Sequence, residues 1–273
     1  MTAKSAIFVS LMGPPAIRID GERQQLAIHG QTRALFYMLS AHANRGIRRA
    51  RLAEALWPDT TEKKANSALN TAVWRINKVL MHFEGASVTT HDGIIKLNLL
   101  SPAVVDVVAL EAAVETAEKS DGTNTAALEN HLAQIVGTCR GPFMDGLTCD
   151  WALPLREKYH EVWVQALHYL MAFATARSEF GKALTWGRAI IAADPFRETI
   201  QREVMHLYAL NGQRAKAIQH YLALKKLLRD ELDIAPLPET VALAAKLAGP
   251  TPCDPRSFRI QTAPIGSALH AAV

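Results

Sequence analysis

The chain has 273 residues, of which 49% are hydrophobic and 21% charged, and its formal net charge is +4. These values exclude the disordered, collagen-like and low-complexity classes, and the length predicts two domains. The charge is uneven, since residues 1–100 carry 13 Lys and Arg against 7 Asp and Glu, whereas residues 101–150 carry 2 against 8. A basic first block followed by an acidic block indicates that the first domain meets a charged partner.

Neither an apolar run long enough for a transmembrane helix nor a signal-peptide pattern occurs in the sequence. The cysteines are Cys139, Cys149 and Cys253, an odd number without metal-binding spacing. We therefore expect three reduced thiols in a cytoplasmic protein. A Cys139–Cys149 redox pair is the alternative, which no other feature supports.

Three short strands are predicted within residues 6–30. The segment Ala6–Met12 is apolar, Ile17–Asp20 alternates and ends in an Asp-Gly turn pair, and Leu26–His29 is the third. Three helices follow, near Gln31–Ala43, near Arg49–Leu56 and from Asp59 onward.

The third helix has the clearest signals of the three. Asp59 is its predicted N-cap, with Glu62 reaching back three residues later. Its apolar face follows helical spacing and comprises Ala65, Leu69, Ala72, Val73, Ile76 and Leu80.

A hairpin follows the third helix, because two β-rich segments, Ser87–Thr90 and Ile94–Leu97, flank the turn His91-Asp92-Gly93. Strands, three helices and a hairpin in this order predict a winged helix-turn-helix, an α+β unit. We place this DNA-binding domain at residues 1–100.

From Asp106 onward the pattern is helical. Two Lys-Ala pairs, at 182–183 and 216–217, are 34 residues apart, which is the tetratricopeptide period. The paired helices are predicted near Glu161–Arg177, Lys182–Ala193, Phe196–Leu210 and Arg214–Leu232. The fold class is thus mainly α, with an all-α tetratricopeptide-like repeat domain at 101–249 and a disordered tail at 250–273.

The outer face of the third helix carries the sharpest chemistry. Its polar, cationic and aromatic side chains are Lys63, Lys64, Ser67, Asn70, Thr71, Trp74 and Lys78, and Arg75 and Asn77 lie at its margins. Arginine and lysine pair with guanine, asparagine pairs with adenine, and hydroxyls contact bases or phosphates, so the face fits the major groove. The alternatives are an ordinary solvated face and, for Trp74, a partly buried aromatic.

Further cations flank this helix. Arg48, Arg49 and Arg51, at the start of the second helix, are placed to hold a phosphate strand. Lys96, with His91, lies in the hairpin and is a candidate for the minor groove or the backbone.

Several segments resemble a known family. The stretches Leu11–Pro15, Gln31–Leu35, Leu52–Asp59, Ala68–Asn70 and Trp74–Leu80 are similar to the N-terminal domain of SARP-type activators (Streptomyces antibiotic regulatory proteins), an OmpR-like winged helix. The stretches Asp194–Glu198, Met205–Gly212, Ala217–Tyr221, Leu228–Pro236 and Pro238–Thr240 resemble the bacterial transcriptional activator domain. Together these matches cover about residues 6–248.

The resemblance implies binding to directly repeated half-sites near the promoter, in double-stranded DNA. The leading hypothesis is a transcription activator whose helical domain supports a homodimer on DNA or contacts RNA polymerase. Asn70 and Asn77 stand where that family commonly has basic residues, which puts the sequence preference in doubt. The length leaves no room for a receiver, ATPase or phosphopeptide-binding domain, so we expect control through the helical domain, partners or expression level.

Two other functions are compatible with the sequence. The helical repeats would serve as a protein-interaction scaffold beside a degenerate wing, or would sense a small ligand through Trp163, Tyr169, Phe173, Trp186 and Tyr208. Repeat-core packing explains those aromatics more simply. The common catalytic motifs do not occur, so we expect neither an enzyme nor a bound cofactor or metal.

Overall fold

The computed structural model describes residues 7–83, 85–100, 103–120, 125–249 and 260. Its strands are β1 (Ile7–Ser10), β2 (Ala16–Ile19), β3 (Glu22–Gln24), β4 (Ile47–Arg48), β5 (Ala86–His91), β6 (Ile94–Leu99) and β7 (Val104–Val105). Its helices are α1 (Gly30–Ala41), α2 (Arg49–Leu56), α3 (Glu62–Leu80), α4 (Asp106–Glu118), α5 (Thr125–Thr138), α6 (Leu153–Ala176), α7 (Phe180–Ala193), α8 (Glu198–Leu210), α9 (Arg214–Leu232) and α10 (Pro238–Ala248). The predicted fold class is confirmed.

The chain divides into two compact units. Of the described residues, one unit contains those up to 113 together with 134–161, and the other contains 114–133, 162–249 and 260. The domain limits taken from the sequence stay a prediction. The tail predicted at 250–273 lies outside the described residues except for residue 260, and so does Cys253.

The first unit contains a sheet in the order β3-β2-β1-β7. The β2–β3 turn has two positive φ angles, 53° at Asp20 and 87° at Gly21, as in the tight turns that join hairpin strands. This turn sets Ile19 opposite Glu22, so the partner strand begins at once. The strand predicted at Leu26–His29 is therefore wrong, and the third strand is the exposed segment β3.

Helices α1, α2 and α3 pack on one another in the first unit. The N-cap of α3 is Thr61, whose carbonyl accepts a hydrogen bond from the N–H of Ala65 at 2.9 Å. The predicted N-cap Asp59 is wrong because it lies in the turn between α2 and α3, two residues ahead of the cap.

Asp106 joins this sheet to helix α4. Its carboxylate is 1% exposed and accepts hydrogen bonds of 2.8 Å from the backbone N–H groups of Leu11 and Met12. The N–H of Val107 at 2.8 Å and the Ser10 hydroxyl at 3.2 Å also donate to it. Burial raises the pKa of Asp106, and these hydrogen bonds oppose that rise. The start of α4 is thereby fixed at the end of β1.

A later segment of the chain pairs with the residues that follow β1. Met12 pairs with Phe143 in an isolated antiparallel bridge, and the N–H of Gly13 donates to the Pro142 carbonyl at 2.9 Å. Arg156 donates from Nε to the Phe143 carbonyl at 3.0 Å, and the ring of Tyr159 lies 5.0 Å from that of Phe143. Residues far apart in sequence therefore complete the core of the first unit.

The second unit is helical, with α7, α8, α9 and α10 packed against one another in sequence. The predicted repeat is visible in the burial pattern, because Ala183 in α7 and Ala217 in α9 occupy equivalent first turns and are both fully buried. The carboxylate of Glu198 accepts hydrogen bonds from the Leu237 N–H at 2.9 Å and the Thr240 hydroxyl at 2.6 Å. These bonds attach the start of α10 to α8.

We expect Asp106→Asn to lower the free energy of unfolding by about 2–3 kcal/mol. The amide replaces one acceptor oxygen of the carboxylate with an NH2 group, which is a donor and cannot accept from the backbone N–H groups. Urea unfolding at neutral pH measures this, and Ser10→Ala, which removes only the longest bond, should cost less. Because the pKa of Asp106 is raised in the folded state, its contribution to stability falls as the pH rises from the ordinary 3.8 through that raised pKa. Equal midpoints for wild type and Asp106→Asn would contradict the role of the carboxylate.

Gly187 in α7 is a second point of tight packing. A Cβ at this position would lie 2.6 Å from Cγ2 of Val204 and 2.9 Å from Sδ of Met171. We expect Gly187→Ala to destabilise the protein by about 1–3 kcal/mol through overpacking. The control is Gly181→Ala in the same helix, where a Cβ meets nothing within 4 Å and thermal unfolding should shift slightly upward. A similar shift in both variants would disprove the packing argument.

Candidate nucleic-acid interface

Helix α3 has one buried and one exposed face. Ala65, Leu69, Ala72, Ile76 and Leu80 are buried in the first unit, as predicted, and Val73 is half-buried. The seven side chains predicted for the outer face are all exposed: Lys63, Lys64, Ser67, Asn70, Thr71, Trp74 and Lys78. Of the two residues predicted at its margins, Arg75 is exposed and Asn77 is half-buried. The sequence therefore identified the orientation of the helix correctly.

Trp74 is 61% exposed, so it is not the partly buried aromatic of the alternative interpretation. The Nζ atom of Lys78 lies over its ring, 5.2 Å from the centroid, a cation–π arrangement. The Thr71 hydroxyl donates to the Ser67 carbonyl at 3.0 Å within the helix. The outer face thus combines donors, cations and one large apolar surface.

The cations on this face have no acidic neighbours in contact. Among the described residues, Lys63, Lys64, Arg75 and Lys78 form no ion pair. Lys64 and Arg75 also line a groove shared with the first turn of α1, where Gln31 and Thr32 lie. The local field is therefore positive and favours an anionic ligand.

The three arginines near α2 differ in their surroundings. Arg48 and Arg51 are exposed, whereas Arg49 is half-buried and hydrogen-bonded to two side chains of α3. The backbone N–H of Arg49 also donates to the Gly93 carbonyl at 2.7 Å. The hairpin turn therefore contacts the start of α2.

The hairpin forms a three-stranded sheet in the order β4-β6-β5. Its turn residues Asp92 and Gly93 have positive φ angles of 48° and 73°, as the sequence predicted for this pair. Lys96 lies in the middle of β6 opposite Thr89 and is half-buried, while His91 is exposed and 3.0 Å from Asp92. Lys96 thus lies within strand β6 and not in the turn at the tip of the hairpin.

Sequence reasoning did not predict the structural roles of two asparagines that shape the site, Asn66 and Asn77. Asn77 donates from Nδ2 to the Val88 carbonyl at 2.8 Å and accepts from the Val88 N–H at 2.7 Å, which fastens α3 to β5. Asn66 accepts two hydrogen bonds from Arg49. The only sequence signal was a polar residue at the margin of an apolar face, which does not distinguish a structural amide from a solvated one.

Other kinds of site find little support in the described residues. They contain no group of three His, Cys, Asp or Glu side chains placed to hold a metal ion. Cys139 and Cys149 are free thiols, and burial raises the pKa of Cys139 to about 12. No helix within the described ranges is long and apolar enough to cross a membrane.

The fold and this site define a winged-helix protein that continues into helical repeats. Residues 105–248 match the family described as the bacterial transcriptional activator domain. The regulatory protein AfsR of Streptomyces coelicolor is 24% identical over 234 residues, which is 85% of this chain and 23% of AfsR. The transcriptional regulatory protein EmbR of Mycobacterium tuberculosis is 26% identical over 279 residues, covering 96% of this chain and 68% of EmbR.

The fold is also found in a solved structure, that of Mycobacterium tuberculosis EmbR in complex with a low affinity phosphopeptide. The TM-score is 0.75 at 22% identity, over 98% of this chain and 69% of the other. The chain thus spans about a quarter of AfsR and about two thirds of EmbR. It belongs to the bacterial transcriptional activator domain family, and it is similar to transcription regulators of the SARP type that the sequence had indicated.

We expect Asn77→Ala to lower the free energy of unfolding by about 1–3 kcal/mol, because the variant leaves both backbone groups of Val88 without their amide partner. Hydrogen exchange at the Val88 N–H should accelerate in the variant. The matched control is Asn98→Ala, which removes an exposed 2.9 Å bond to the Thr89 hydroxyl and should be nearly neutral. Equal losses in the two variants would rule out a special role for Asn77.

Proposed function

We propose that this regulator binds double-stranded DNA through the outer face of α3 and activates transcription. The observation that carries the proposal is the two-sided helix: five apolar residues fix α3 to the first unit, and its cationic face is left exposed beside a hairpin wing. A helix held in this way fits the major groove of B-DNA.

The residues divide by chemistry into base readers and phosphate binders. Asn70 and Arg75 reach base edges, Trp74 offers an apolar surface for a thymine methyl group, and the hydroxyls of Ser67 and Thr71 serve either purpose. Phosphate contacts come from the cations Lys63, Lys64, Lys78, Arg48, Arg49, Arg51 and Lys96. For Lys63 and Lys64 the dipole at the start of α3 adds to the attraction.

The helical domain would then contact RNA polymerase or support a homodimer on DNA. The membership of the chain in the bacterial transcriptional activator domain family supports this assignment. The resemblance to SARP-type regulators implies directly repeated half-sites. Such sites would place two protein molecules in tandem rather than about a two-fold axis. We propose a non-enzymatic protein that works in the cytoplasm, where promoter DNA lies, without a cofactor.

The test is a gel-shift titration on the DNA upstream of the gene of this protein at two salt concentrations. Affinity should fall by about tenfold or more between 50 and 200 mM salt, since bound lysines and arginines release counterions from DNA. The triple variant Lys63/Lys64/Lys78→Glu should lose binding altogether.

The matched control is Lys216/Lys225/Lys226→Glu, which makes the same charge change at exposed positions of α9. Binding should survive in this control. Salt-independent binding, or full activity of the α3 triple variant in a promoter assay, would refute DNA binding and favour an interaction scaffold instead.

A further inference from the structure

Arg49 at the start of α2 holds two asparagines of α3. Its Nε donates to Oδ1 of Asn66 at 2.8 Å, and its Nη2 donates to the Asn66 carbonyl at 2.9 Å and to Oδ1 of Asn70 at 2.7 Å. A guanidinium has donors only, so the amide atom of Asn70 that faces it has to be the oxygen. The orientation of the Asn70 amide is thereby fixed.

This contact changes what Asn70 offers to a ligand. The oxygen already accepts a charge-assisted hydrogen bond, and a full positive charge lies beside it. The nitrogen Nδ2 keeps its donors for the solvent side, since Asn70 is exposed on the outer face of α3. Asn70 lies one turn from both Ser67 and Trp74, so it belongs to the centre of that face.

Adenine and guanine differ in the hydrogen-bonding groups that they would present to Asn70. In the major groove adenine presents the acceptor N7 and the donor N6, whereas guanine presents two acceptors, N7 and O6. An unconstrained asparagine pairs with adenine through both its oxygen and its nitrogen. With Arg49 on the oxygen, the adenine amino group meets an occupied acceptor and a nearby cation, while both guanine atoms meet donors.

We propose that Arg49 is a positioning residue that makes Asn70 a hydrogen-bond donor, so that the base opposite Asn70 is read as guanine rather than adenine. The proposal rests on the DNA binding proposed above. In this proposal Arg49 affects which base is bound. A contact between its charge and a phosphate would affect only the affinity for DNA.

The experiment selects binding sites from randomised DNA duplexes with the full chain. The position read by Asn70 is the one whose preference disappears in Asn70→Ala. At this position the wild type should favour guanine over adenine by about tenfold. In Arg49→Met, which frees the oxygen, the preference should move toward adenine at that position alone.

Arg51→Met is the matched control, since it removes an exposed cation from the same helix. It should weaken binding to all sequences and leave the base profile unchanged. The thermal unfolding midpoint of each variant shows whether a change in base preference results from loss of the fold. If Arg49→Met does not fold, wild-type protein is titrated with 7-deazaguanine at the selected position, and affinity should fall several-fold because N7 is missing.

Three results would overturn the inference while leaving DNA binding intact: a wild-type preference for adenine, an unchanged profile in Arg49→Met or Asn70→Ala, or full affinity for the 7-deazaguanine site. A wild type that enriches no sequence and binds without salt dependence would instead overturn the proposed function itself.

Discussion

The packing of α3 against the first unit is the constraint on which the rest of the site depends. Its large buried side chains, Leu69, Ile76 and Leu80, each contribute about 1.5–3 kcal/mol by leaving water, and none belongs to the outer face. The helix therefore stays in place without help from its exposed residues. That independence allows unpaired lysines and an exposed tryptophan to accumulate on one face, where they would weaken a helix held only by its own hydrogen bonds.

Polar side chains hold the junctions that apolar packing leaves open. Asn77 joins α3 to the wing, Arg49 joins α2 to α3, and Asp106 joins β1 to α4. Asp106 and Asn77 satisfy backbone groups of another element, which have few other partners at an element end. The first unit thus positions its elements through polar contacts as well as through apolar packing.

The periodic parts of this fold could be predicted from the sequence, and the long-range parts could not. Helical spacing located α2 at its true bounds, and the Asp-Gly pairs located both hairpin turns. The strand β3 was missed because its exposed residues carry no apolar pattern. The pairing of β7 with β1 joins Val104 to Phe8, and no local signal reports such a contact.

For the candidate site, the exposed residues of α3 could be predicted from the sequence, but the contacts that they make with other elements could not. Amphipathic spacing separates the two faces of a helix, which is why all seven residues predicted for the outer face are exposed. The bonds of Arg49 and Asn77 depend on where a second element lies, and single side-chain hydrogen bonds leave no repeat in a sequence. Arg49 accordingly resembled any other surface cation.

The bond between the Arg49 N–H and the Gly93 carbonyl bears on the wing as a whole. A free hairpin loses conformational entropy when it is ordered by a ligand, and that loss weakens the complex. Here the turn of the hairpin is tied to the start of α2 and its strand β5 is tied to α3. The hairpin is thus ordered before a ligand binds. Binding therefore does not have to offset the conformational entropy that a free hairpin would lose.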